Sequence, residues 1–201
     1  MSEDKKIFIN GTNNKYQINK LKKEPISIKK KKDVERWGIP IQFFEEEKQI
    51  NILEDLILLL ERKTNIINNF KLELTEEHYK IIQSLINKKL SSYKQQDIIK
   101  KRLDNQNFIQ IEEVIDIFKK NQLSCYYCNE KVCLLYEIVR ENKQWTLDRI
   151  NNDIGHNSGN CVLACLSCNL KRRRIGADAF LFTKQLNIVK QDSETKDTNI
   201  V

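Results

Sequence analysis

The chain has 201 residues, 40% of them hydrophobic and 31% charged, and 35 Lys and Arg against 28 Asp and Glu leave a formal charge of +7. With only 5 Gly and 2 Pro it is short of turn residues, which argues against a many-stranded sandwich or barrel and for helices joined by polar loops. Its aliphatic content excludes wholesale disorder, and no apolar run approaches the roughly 18 residues of a membrane span.

The charge is unevenly spread: net +6 over residues 1–36, −3 over 37–118, +5 over 119–175 and −1 over 176–201. Residues 1–36, with Lys29-Lys30-Lys31-Lys32, read as a basic flexible arm, either a solvated tail, a phosphate contact or a nuclear address. Residues 37–121 read as a helical region. Its first helix is expected from about Phe43 to Ile66, because Phe44, Ile50, Leu53, Leu56, Ile57 and Leu60 recur at helical spacing. A second opens on Thr75 as N-cap, with Glu76 and Glu77 in its first turn, and runs to about Leu90 with Tyr79, Ile82, Leu85 and Ile86 inward. A third is expected after Ser91 or Ser92, carrying Tyr93, Ile98, Ile99 and Leu103. Its polar members Lys94, Gln95, Gln96, Lys100, Lys101 and Arg102 either line a phosphate backbone or form an ordinary solvated face. A fourth, about Glu112 to Asn121, packs Val114, Ile115 and Phe118.

Residues 122–190 hold all six cysteines. Cys125 and Cys128 form one C-x-x-C pair and Cys165 and Cys168 another, flanking a segment that reads as strands and loops. Each such knuckle aims two thiolates at one point, and two complete the tetrahedral four-thiolate shell of structural zinc. A thioredoxin-like redox pair would instead need one pair beside a βαβ unit. Cys133 and Cys161 are left over and read as small buried hydrophobes. Ala177 to Leu186 reads as a closing helix that packs Phe180, Leu181 and Leu186, and residues 191–201 as a disordered tail.

The pieces Trp145-Thr146-Leu147-Asp148-Arg149-Ile150, Gly155-His156 and Cys165-Leu166-Ser167-Cys168-Asn169 resemble the zinc-braced HNH, or His-Me finger, endonuclease domains met in phages and large DNA viruses. The resemblance covers about residues 123–176. It implies a small α+β, treble-clef-like ββα finger in the C-terminal half of a chain whose composition and periodicity read as mainly α. Asp148 would lie on the first strand, Asn160 at the start of the second, and Asn169 in the first turns of the helix. It also implies that Asp148 and Asn169 hold one magnesium or manganese ion against the scissile phosphate, and that Asn160 fixes the loop and orients the base. Hard oxygen ligands suit such an ion.

The chain departs from the family at Arg149, which stands where the His base is usual. A guanidinium cannot accept a proton near neutrality but can bind phosphate or stabilise developing charge. His156 is then the side chain of this segment suited to general-base work, or else a loop histidine bonded to backbone. His78 reads as structural or solvated. Lys171-Arg172-Arg173-Arg174 is better explained by phosphate-backbone contacts than by a solvated face. These readings lead to a metal-dependent DNA endonuclease or nickase, or alternatively to an inactive, zinc-stabilised nucleic-acid-binding module. The partner expected is DNA rather than a membrane. Met1-Ser2-Glu3-Asp4-Lys5-Lys6 lacks a secretory apolar region, which points to the cytoplasm, nucleus or a viral replication site.

Overall fold

The computed structural model describes residues 30–31, 34–61 and 72–186. Most of the basic arm, the stretch 62–66 at the end of the first expected helix and the tail 191–201 lie outside the described residues. The last part of the arm is docked. Lys30 pairs with Ile138 in an antiparallel bridge, Lys31 N donates to Glu137 O at 2.7 Å, and Val34–Trp37 form a short helix, α1. The end of the expected arm is therefore held against the body, because Trp37 (8% exposed) anchors this stretch in the core.

A 3-10 turn, Ile41–Phe44, leads into α2 (Glu46–Glu61), whose Ile52, Leu53 and Leu56 are buried. The next helix, α3, spans Glu76–Ile99 without interruption. It opens on a reciprocal cap in which Thr75 Oγ1 accepts from His78 N and His78 Nδ1 accepts from Thr75 N, both at 3.4 Å. His78 is thus structural.

The break expected at Ser91 and Ser92 does not occur. Neither residue removes a backbone donor, and the inward stripe Tyr79, Ile82, Ile86, Leu90, Tyr93, Asp97 continues through them at spacings of three and four. In this phase Ile98 and Ile99, expected inward, are 46% and 79% exposed. Helix α4 (Ile111–Lys120) buries Val114, Ile115 and Phe118 as expected.

Strands β1 (Trp145–Arg149) and β2 (Cys161–Cys165) pair antiparallel, with Trp145 opposite Cys165 and Arg149 opposite Cys161. Helix α5 (Leu166–Arg172) follows β2 directly, and α6 (Ala177–Gln185) closes the described chain. Phe180 is buried and Leu181 packs against the core, but Leu186, expected inward, is 50% exposed just beyond the helix.

Helices and cysteine-bearing segment share one hydrophobic core. Phe118 of α4 meets Trp145 of β1 edge to face at 5.0 Å, and the buried Gln49 side chain of α2 bonds both the N and the O of Leu135 at 2.8 Å. A two-stranded sheet is marginal alone; here the helices cover it. The fold is thus mainly helical, with a small sheet and a four-cysteine cluster. Among the described residues no helix is long and apolar enough to cross a membrane.

Candidate metal centre and polar cleft

Cys125 and Cys128 lie on the turn after α4, while Cys165 ends β2 and Cys168 sits in the first turn of α5. Their four Sγ atoms lie within 4.8 Å of one another. Tetrahedral zinc with Zn–S near 2.3 Å needs sulfurs about 3.8 Å apart, and Cys128 Sγ and Cys165 Sγ are 4.0 Å apart. Backbone donors also point at the sulfurs: Cys165 N reaches Cys125 Sγ and Cys168 N reaches Cys165 Sγ, both at 3.3 Å.

A hydrogen bond from the Cys165 thiol holds Cys125 down to about 5. That same bond, with burial, drives Cys165 well above the ordinary thiol range, and burial pushes Cys168 up to about 12. The Cys125 thiolate thus forms readily, while Cys165 and Cys168 resist ionisation until a cation arrives. The cluster can hold a metal ion such as zinc. Cys133 and Cys161 stay outside it; Cys161 is buried on β2, with its thiol pushed up to about 12 by burial.

Beside this centre lies a polar cleft of about 430 Å³, lined among others by Asp148, Arg149, His156 and Asn169, with Gln96, Lys100 and Arg173. The helix–strand arrangement thus brings together four residues that sequence reasoning singled out. Strand alternation separates two of them: Asp148 turns toward α5 and Arg149 toward α3.

The Asp148 carboxylate is fully engaged. Its Oδ1 accepts from Arg172 Nη1 at 2.7 Å and its Oδ2 from the Tyr127 hydroxyl at 2.8 Å. Arg172, expected to face phosphate, is 0% exposed and also donates to Arg149 O and Ile150 O at 2.7 and 3.0 Å. It is a structural strut, because position 172 falls on the inner face of α5. Lys171, Arg173 and Arg174 remain exposed.

Asn169 Nδ2 donates to Thr146 Oγ1 at 3.0 Å, and among the described residues its Oδ1 has no partner. The pair expected to hold magnesium or manganese therefore offers one free oxygen ligand. The other carries a guanidinium where the ion would sit, so these residues do not fit a ready-made hard-metal site.

His156 lies in the loop between the strands and is 4% exposed. Its Nδ1 meets Asp97 Oδ2 at 2.9 Å, its backbone N donates to the same oxygen at 2.7 Å, and its ring stacks on Tyr93 with centroids 4.6 Å apart. Burial lowers its pKa below the ordinary value, and the bond to Asp97 only partly offsets this. The neutral ring then carries its proton on Nδ1, donated to Asp97, and among the described residues the Nε2 lone pair has no hydrogen-bond partner.

Asp97 is the member of the site that sequence reasoning misses. It is 0% exposed and its Oδ1 lies 3.6 Å from Arg149 Nη1. The signal that exposes it is an acid on the inward stripe of a helix taken as unbroken. Asn160 pins the same loop: its Oδ1 accepts from Asn151 N at 2.9 Å, and its Nδ2 donates to Asn151 O and Gly155 O at 3.1 and 2.9 Å.

Gly155 is required by close approach. A Cβ there would lie 2.6 Å from Arg102 O and 2.9 Å from Asp97 Oδ2. Gly155→Ala is expected to destabilise the protein by about 1–3 kcal/mol, read as a lower urea midpoint. Gly176→Ala, which meets nothing within 4 Å, is expected to cost less. Equal midpoints would mean that the loop does not press on the end of α3.

Compared with known families, curated proteins and solved structures, the chain matches none of them. Function has to be read from its own residues.

Proposed function

We propose that this chain is an HNH-type endonuclease or nickase that hydrolyses phosphodiester bonds in DNA, its finger braced by zinc on Cys125, Cys128, Cys165 and Cys168. The observation that carries this reading is the convergence of Asp148, Arg149, His156 and Asn169 on one cleft rimmed by Lys100 and Arg173. In this reading the phosphate lies against Arg149, Lys100 and Arg173, which neutralise its oxygens. His156 Nε2 takes a proton from a water as that water's oxygen bonds to phosphorus. The P–O bond to the leaving oxygen breaks, and that oxygen takes a proton from solvent. Asp97 keeps the imidazole in the tautomer this requires. No step runs through a metal on Asp148, since Arg172 occupies that carboxylate.

The test is nicking of supercoiled plasmid with magnesium or manganese present. His156→Ala is expected to reduce nicking at least a hundredfold while zinc content stays unchanged. The pH dependence follows from the lowered His156 pKa. The base is neutral at pH 7 and above, so the rate stays level through the ordinary imidazole value near 6.5. It falls only as pH drops further, through the lowered one. A rate that already falls on acidification from pH 8 to 7 contradicts the assignment.

A second reading, a non-cleaving zinc-stabilised nucleic-acid-binding module, is favoured by the double engagement of Asp148 by Arg172 and Tyr127. Salt-sensitive DNA binding with no nicking under any metal would select it.

A further inference from the structure

Next to the polar cleft, on the same face of α3, lies a more apolar recess of about 420 Å³. Trp37, Tyr136 and Trp145 contribute to its walls, with Lys31, Lys88 and Lys89 among them. Lys89 Nζ donates to Trp145 O and to Gln144 Oε1, and lies 4.2 Å from the Trp145 ring centroid and 5.1 Å from that of Tyr136. Lys31 Nζ sits 3.6 Å from the Tyr136 centroid. Neither the zinc cluster nor the proposed hydrolysis uses any of these groups.

The recess is continuous with the rest of the site. Lys89 and Ser92 line both the recess and the polar cleft. Lys100, Arg149, Asn152 and Arg173 in turn line both the cleft and a basic groove of about 900 Å³ that holds Arg102 and Arg174. Aromatic recess, cleft and basic groove thus follow one another along α3 and past its C-terminal end. That order suits a strand whose phosphates run through cleft and groove while one base leaves the stack. A fully paired duplex keeps its bases out of reach, whereas an unpaired base has a free face for aromatic contact and a phosphate beside it for the exposed Lys88.

We propose that the Trp37–Tyr136–Trp145 recess binds one unpaired nucleobase of the DNA strand held in the cleft, so that the substrate is bulged, branched or single-stranded DNA. This rests on the nucleic-acid reading above and adds the class of substrate to it.

The chain has two tryptophans, and both line this recess, so intrinsic emission reports on it directly. Zinc-loaded full-length protein, without added magnesium or manganese, is titrated with three dye-labelled DNA hairpins. One is fully paired, one carries a single bulged adenine, and one carries an abasic residue in place of that adenine. Anisotropy reads binding and tryptophan emission reads the recess. The bulged adenine is expected to bind about tenfold tighter than the other two and alone to quench emission. Tyr136→Ala is expected to lose that preference while its zinc content and affinity for paired DNA stay at wild-type values. Binding of all three hairpins with equal affinity and equal emission overturns the recess assignment and leaves the nucleic-acid reading standing. Binding of none at low salt overturns both.

Discussion

Cys168→Ser is expected to leave the protein without stoichiometric zinc and without a cooperative thermal transition, while Cys133→Ser keeps both. Two five-residue strands and the short helix α5 have little chance of holding together alone. Three of the four clustered cysteines, Cys125, Cys165 and Cys168, are buried within the shared core, so loss of the metal would leave mutually repelling thiolates or desolvated thiols there. Apparent zinc-binding energies of about 10–16 kcal/mol for such sites are comparable to the whole stability of a typical domain, about 5–15 kcal/mol. Metal analysis by mass spectrometry, with circular dichroism melts before and after chelation, measures both halves of the prediction. A Cys168→Ser protein with one zinc per chain and an unchanged Tm would remove the four-sulfur cluster from the folding of this chain.

Arg172→Met is expected to cost about 3–5 kcal/mol, the second largest effect, because it strands the Asp148 carboxylate in a buried position with only the Tyr127 hydroxyl beside it. Two carbonyls, Arg149 O and Ile150 O, also lose their donor. Converting the pair together, Arg172→Met with Asp148→Leu, is expected to recover part of the loss, since no isolated charge remains, while the carbonyls stay unpaired. Urea unfolding of zinc-loaded single and double variants gives the coupling. If Arg172 instead met phosphate, its replacement would weaken DNA binding and leave the urea midpoint where it was. The same experiment therefore separates strut from DNA contact. Lys171, Arg173 and Arg174, which are exposed, are the members of that run still available to a phosphate backbone.

Much of the site is legible in the sequence because its signals are local. Each C-x-x-C spacing brings two sulfurs together within one turn, the repeat of that spacing announces a four-sulfur site, and the Asp148 strand and the Asn169 helix are what the resemblance to HNH fingers implies. Helix existence is equally legible from apolar spacing. A break placed at Ser91 and Ser92 costs more than secondary structure. Splitting α3 there resets its phase, turns Ile98 and Ile99 inward on paper and hides Asp97 among solvated residues. With one continuous helix, the stripe from Tyr79 ends on that acid, and an acid on an inward stripe asks for a partner.

What the sequence determined by itself, then, is the donor chemistry: four sulfurs at knuckle spacing, one histidine between two strands, and an excess of cations after them. The tertiary structure alone decided how those donors are used. It buried Arg172 against Asp148, put Asp97 of α3 against His156 Nδ1 from a distance of 59 residues, and joined the tryptophan recess to the cleft through Lys89 and Ser92. Spacing fixes which groups can converge within one turn of backbone. Which carboxylate meets which cation across the core depends on helix phase and packing, and these are settled only when the whole chain buries its apolar faces together.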